Sequence, residues 1–232
     1  MIADELWVCR LGVLDHGEAL ALQQGLRARR QADEIPDTLL LLEHQPVYTR
    51  GRRSVPGELP LGEDWYRERG IDIVDVDRGG RLTYHGPGQL VGYPIMRIVD
   101  VIAYLRTMED AIGAALAEEG IAGGPREGLT GVWVEDSKIG SIGVHVSRGV
   151  TTHGFAINVD NDLQPFDWVV PCGISGVRMT SVAKETGRYG PDGFACFRKR
   201  MALAFAAAHG RRQRIVTPER LGIEQSAVAL PA

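Results

Sequence analysis

The sequence predicts an α+β fold: a single domain with helices packed on a mixed or mainly antiparallel sheet. Two observations carry the prediction. Strand-like segments come in runs with a few helices between them, not as regular βαβ units. No internal repeat, low-complexity linker or shift in composition divides the 232 residues, so one domain over 1–232 is expected.

The elements follow in order. Residues 6–14 read as a strand, and Asp15 then opens a helix with Glu18 as its capping-box partner three residues on. The compact apolar run 38–42 reads as a buried strand, stopped near Pro46. Residues 71–76 alternate Ile and Val with Asp, the pattern of a half-buried strand. From 100 to 119, Val101, Leu105, Met108, Ile112 and Leu116 recur at helical spacing, and Gly120 supplies a stop. Three strands are expected at 131–135, 139–146 and 151–159, with Asp136 and Ser137 as turn residues between the first two. A late helix begins near Asp192, carries Phe194, Phe197, Met201 and Phe205 on one face, and ends at Gly210. In the tail, Thr217, Pro218 and Glu219 read as a short helix start.

Composition narrows the function. The chain is 44% hydrophobic and 24% charged, as soluble globular proteins are. Its net charge of −4 argues against a nucleic-acid binder working by bulk charge. No apolar run approaches the roughly 20 residues of a membrane span. The N-terminus lacks a basic region followed by an apolar core, so no secretory signal is expected. Cys9, Cys172 and Cys196 are too few and too scattered for a disulfide framework or a metal site, and a reducing, cytoplasmic setting fits. The histidines lack ligand spacing, and no metal is implied. The basic run of Arg50, Arg52 and Arg53 reads as a solvated loop.

Three segments look like a site. RGGRLTYHGPGQLVGYP (78–94) is dense in glycine where strands are otherwise expected, which asks for bulges, turns or a ligand close to the backbone. It is neither a Walker loop nor a dinucleotide fingerprint. In SKIGSIGVHV (137–146) Lys138 reads first as a solvated lysine, yet Gly140, Ser141 and Gly143 beside it leave room for a substrate. In VVPCGISG (169–176) Cys172 lies between Pro171 and Gly173, so a turn at a strand end is expected. Packing residue and nucleophile both remain open for Cys172, whereas Cys9 and Cys196 read as buried packing residues. As a nucleophile, Cys172 needs a base or cation, with Lys138, His85, His145 and His153 as candidates; His16 and His44 read as loop or cap residues.

With LLLLEHQPVYTRG, GVWVEDSKIGSIGV and THGFAINV added, these segments resemble, in this order over about residues 6–210, the octanoyl–acyl-carrier-protein:protein N-octanoyltransferase (lipoate–protein ligase B) family. The resemblance implies the fold of biotin and lipoate ligases and transfer of an octanoyl or lipoyl group from acyl carrier protein to a lysine of a lipoyl domain. Acceptors would be the lipoyl domains of 2-oxoacid dehydrogenase complexes and the glycine cleavage H protein. It puts the family's cysteine and lysine pair on Cys172 and Lys138. It puts the acyl-binding segments on Arg78, Gly79, Gly80, Arg81, Leu82, Thr83, Tyr84 and His85, on Ser141, Ile142 and Gly143, and on Gly154, Phe155 and Ala156. It implies neither ATP nor metal as cofactor, and no nucleic-acid or membrane partner. His85 and His153 are then expected to orient loops or polarise the acyl carbonyl. The arginines of 50–53 become a docking patch for the acidic carrier.

Overall fold

The computed structural model describes residues 4–170, 177–187 and 190–223. Its centre is a nine-stranded mixed sheet. Strand β1 (Glu5–Leu14) runs parallel to both neighbours, β2 (Asp37–His44) and β12 (Arg212–Val216). Beyond β2 the order is β6 (Gln89–Ile95), β10 (Val150–Asn158), β9 (Ser137–Ser147), β8 (Leu129–Val134) and β7 (Gly124–Arg126), antiparallel at every step. The short β11 (Arg178–Met179) pairs parallel with the start of β9. A second sheet holds β4 (Asp72–Asp75), β3 (Val47–Arg50) and β5 (Thr83–His85) in that order.

Helices cover both faces of the large sheet. On one side α3 (Val101–Ala117) and α6 (Pro191–Ala208) pack Met108, Ile112, Phe197, Met201 and Phe205 against Leu39, Leu41, Phe155 and Ile157. On the other, α1 (His16–Gln31) packs Ala19 and Leu26 against Cys9, Leu11, Leu40 and Leu42. Alternate residues of β2 thus enter different cores, which is why 38–42 is an unbroken apolar run. A third cluster, Tyr48, Tyr66, Leu82, Tyr84 and Phe166, lies with the small sheet. Short helices α2 (Glu63–Arg67), α4 (Gln164–Asp167) and α5 (Val182–Thr186) complete the set among the described residues, with a 3-10 turn at Pro218–Leu221 where the tail's helix start was expected.

Asp15 caps α1 by accepting from the backbone N–H groups of Gly17 and Glu18 at 2.7 and 3.2 Å. Asp100 caps α3 in the same way. The turn between β8 and β9 sits at Glu135 and Asp136, one residue before the expected pair, with Glu135 at φ 50°.

Three expectations are corrected. The buried stripe of α3 runs through Tyr104, Met108, Ala111, Ile112 and Ala115, so Val101, at its N-terminal end, is exposed. Cys196 is exposed, not packed, because it falls about 100° around α6 from Phe197 on the buried face. Lys138, read as solvated, is only 6% exposed, its side chain lying against Gly131 and near the Trp133 ring of β8.

Two features shape the site. Glycines let β6 and β10 approach: a Cβ on Gly92 would meet Phe155 Cζ at 2.1 Å, and one on Gly154 would meet the Gly92 carbonyl at 2.3 Å. In addition, β8 pairs with β9 only over residues 137–140, leaving the rest of that edge of β9 open. The 78–80 loop takes part of it, with Gly79 N–H donating to the Val144 carbonyl at 2.9 Å.

Candidate active site

Two cavities meet along β9. The smaller, about 60 Å³, is lined by every expected acyl-binding residue except Gly79 and Tyr84, together with Lys138 and His153. The larger, about 600 Å³, lies against Gly79, Leu105, Thr130, Trp133, Val144 and Val177. Gly80, Arg81, Lys138, Ile142 and Gly143 line both, so Lys138 stands at their common wall. Tyr84 instead turns into the small aromatic cluster, 5.4 Å from Tyr48 and 5.6 Å from Phe166 between ring centroids. Cys172 lies outside the described residues. The described residues before and after it do reach this region: Val177 lines the larger cavity, and Val170 N–H donates to the Glu58 carbonyl at 3.0 Å.

The glycine-rich loop is held by charge. Arg78 is buried and gives Nη2 to the Thr49 hydroxyl and carbonyl at 2.6 and 2.7 Å, and Nη1 to the Gly79 carbonyl at 3.0 Å. Its role in this geometry is to clamp the loop onto β3. The neighbouring chain is sewn to the same loop, Arg52 N–H to the Arg78 carbonyl and Arg53 N–H to the Gly80 carbonyl, both at 3.0 Å. Arg81 pairs with the buried Glu58 carboxylate at 3.1 Å. Of the basic run, Arg50 is not a solvated residue: it is paired with Asp75 and Glu63, whereas Arg52 and Arg53 are exposed. Arg53 lines the larger cavity.

The smaller cavity is floored by histidines that no local spacing announced. His16 and Tyr93 line it; His44 lies behind, its ring centroid 5.2 Å from His16 and 5.7 Å from His85. Burial above all holds His16 at about 3 and His44 at about 4, and pushes His85 well below the ordinary imidazole value. These rings are neutral, and their hydrogen bonds set the tautomers. His44 Nδ1–H donates to the Leu14 carbonyl, leaving Nε2 to accept from the Tyr93 hydroxyl at 2.6 Å. Gln89 donates to the Tyr84 carbonyl and Asn158, so its Oε1 accepts from His85 Nδ1–H at 2.7 Å. A neutral His85 with Nδ1–H committed offers only a lone pair at Nε2, which speaks against polarisation of a carbonyl by this ring.

His153 differs in having a carboxylate. Its Nε2–H donates to Asp77 Oδ1 at 2.7 Å, and its backbone N–H to Gln23 Oε1 at 2.6 Å. Burial lowers the affinity of His153 for a proton, and the Asp77 contact only partly offsets this. For Asp77, burial opposes ionisation but the bond to His153 and the nearby cations outweigh it, holding the carboxyl below its usual range. Among the described residues, no group of three His, Cys, Asp or Glu side chains could hold a metal ion, and no helix is long and apolar enough to cross a membrane.

Comparison with known proteins bears on what this site belongs to. Residues 15–206 match the family model of the lipoyl protein ligase A/B catalytic domain. The chain belongs to that family. It is 49% identical over 181 residues to an octanoyltransferase of Rubrobacter xylanophilus, covering 76% of this chain and 82% of the relative. It is 46% identical over 182 residues to an octanoyltransferase of Thermobifida fusca, covering 74% and 75%. By these relatives the protein is an acyltransferase of the octanoyltransferase group. The fold matches a bipartite lipoate protein ligase of Thermoplasma acidophilum with a TM-score of 0.72 at 20% identity, over 95% of this chain and 91% of that one. It also matches lipoate-protein ligase A bound with ATP with a TM-score of 0.71 at 17% identity, over 94% and 92%. Together these place the α+β architecture among lipoate ligases.

Proposed function

We propose that the protein transfers an octanoyl (or lipoyl) group from an acyl carrier protein to a lysine of a lipoyl domain through a thioester on Cys172. The observation that carries this reading is the buried Lys138 at the wall common to both cavities. The acyl tail would fill the smaller, largely apolar cavity, where each methylene removed from water contributes about 0.8 kcal/mol. The carrier's arm would leave through the larger one, past Arg53.

In the first half-reaction the Cys172 thiolate attacks the thioester carbonyl, the carrier's C–S bond breaks, and Lys138 gives a proton to the departing thiolate. Exchange of one thioester for another is close to isoenergetic, so no ATP is called for. In the second half the acceptor amine attacks the Cys172 thioester, neutral Lys138 takes its proton, and the cysteine leaves as thiolate. Unassisted deprotonation of a lysine at pH 7 costs about 4.6 kcal/mol, which sets the value of a waiting base. The oxyanion requires a donor. The Val144 carbonyl points to the open edge of β9, where Gly79 binds it, and strand alternation directs the Ile142 N–H to the same edge. That N–H is the donor we assign.

Acceptors in this reading are the lipoyl domains of 2-oxoacid dehydrogenase complexes and the glycine cleavage H protein, and the reaction belongs in the cytoplasm. The test is intact mass of wild type and Cys172→Ser after mixing with octanoyl carrier protein without ATP. Wild type should gain one octanoyl unit, labile to hydroxylamine, and transfer it to a lipoyl domain. An unmodified enzyme whose transfer depends on ATP would instead make it a ligase on the same fold.

A further inference from the structure

Helix α3 carries one residue out of keeping with its buried face. Glu109 is 1% exposed, on the side that Met108 and Ile112 bury. A carboxylate so placed is costly unless its oxygens are satisfied, and both are. Oε2 accepts from Arg106 Nη1 at 2.5 Å, and Oε1 accepts from the backbone N–H of Gly131 in β8 at 2.8 Å.

Gly131 is where this bond matters. Its φ is 121°, a conformation for which glycine is the natural residue. A Cβ there would stand 2.5 Å from the Gly140 carbonyl oxygen, 2.7 Å from Lys138 Cε and 3.2 Å from Lys138 Nζ. The terminal part of the Lys138 side chain therefore rests on the bare backbone of Gly131. Pairing between β8 and β9 shifts register at the same place: Val132 faces Gly140, Trp133 faces Lys138, and β9 spends an extra residue between them. Such bulges re-aim a side chain. The backbone of Lys138 is held separately, its carbonyl accepting from Thr180 N–H at 3.0 Å. The Trp133 ring lies 5.6 Å from Nζ.

We propose that Glu109 is a positioning residue for Lys138: by fixing the Gly131 peptide it sets the bed on which the lysine's amino end lies. The inference rests on the role given to Lys138 above, and the experiment separates the two.

Steady-state acyl transfer to a lipoyl domain at varied octanoyl carrier would be measured for Glu109→Gln and Glu109→Ala, in the wild-type and Lys138→Ala backgrounds, with thermal unfolding of each. Glutamine keeps an oxygen for the Gly131 N–H and should stay within about threefold of wild type. Alanine should lower kcat at least tenfold, with KM for the octanoyl carrier changed less than about twofold. On the Lys138→Ala background Glu109→Ala should cost nothing further, whereas a general weakening of the fold would lower both backgrounds alike. Full activity of Glu109→Ala, or an undiminished loss without the lysine, overturns the proposal. Normal transfer by Lys138→Ala alone removes the role of Lys138 and the present inference with it. If Glu109→Ala does not fold, Glu109→Leu, which fills the same space but offers the Gly131 N–H no acceptor, must likewise lose its kcat effect on the Lys138→Ala background.

Discussion

His153 Nε2 and Asp77 Oδ1 lie 2.7 Å apart, and the histidine that makes this bond has a φ of 56° in the middle of β10. A non-glycine residue in the left-handed region costs on the order of 1–3 kcal/mol and persists where its surroundings hold it. Here Asp77 and Gln23 grip it from its two ends. Asp77→Asn should lower kcat/KM for acyl transfer about tenfold, or ~1.4 kcal/mol in the barrier, while the melting temperature changes little. Unaltered kinetics would mean that this pair only supports the loop.

The buried histidines make acid the enzyme's weak side. His16, His44, His85 and His153 bind protons less readily folded than unfolded, where each takes one near pH 6.5. The unfolded chain therefore gains more protons as pH falls, and their contribution, complete above about pH 6.5, is lost below it. For His44 the loss continues to about 4 and for His16 to about 3. Urea midpoints at pH 7.5, 6 and 5 should decline, with a ceiling of about 1.4 kcal/mol per pH unit for each histidine. His16→Gln should make the decline shallower.

Lys138→Ala should reduce transfer by about a hundredfold or more, the range of general acid–base catalysis. Intact mass would show whether the proposed acylation of Cys172 or its discharge to the acceptor suffers. A variant with normal rates would exclude the lysine from both steps.

Arg53 borders the larger cavity and has no ion-pair partner among the described residues. If the donor's phosphate-linked arm passes it, Arg53→Ala should raise KM for octanoyl carrier protein and octanoyl phosphopantetheine by about fivefold to tenfold, less than a buried charged hydrogen bond is worth because Arg53 is exposed to screening by solvent. Octanoyl pantetheine, without the phosphate, should be unaffected. Equal loss with all donors would count against a phosphate contact.

Gly92→Ala should destabilise the fold by about 1–3 kcal/mol in chemical denaturation, the usual cost of overpacking a core. The new methyl would have to share the space of the Phe155 ring, 2.1 Å away. Loss of acyl affinity should follow, because Phe155 also lines the smaller cavity.

The segments with a clear period were legible in sequence: β1, α1, α3 and the strands from 129 to 158 lie close to their expected bounds. Strands are expected within 78–94, but the bounds of β6 were not legible there, because all seven of its residues are buried and its Gly92 and Pro94 mimic a turn. The glycine-rich loop and Lys138 were visible as a candidate site, but the enclosure of Lys138 was not, since β8, β11 and α3 come from separate stretches of chain. His16 escaped for the same reason, as a single residue from the start of α1, whereas Asp77 and Tyr93 lie beside and within the glycine-rich segment without being singled out there. Glu109 did leave a trace, a carboxylate between Leu105 and Ile112 at helical spacing, on a face otherwise apolar.

The parallel pairing of β12 with β1 joins Glu5 to Arg212 and Cys9 to Val216. A chain cut after Gly210 would bare a largely buried ten-residue strand as the sheet's rim, a template on which a second molecule could lay its own. The last described strand, at the opposite end of the sheet order from β7, thus covers that rim with a short edge carrying Arg212 and Arg214.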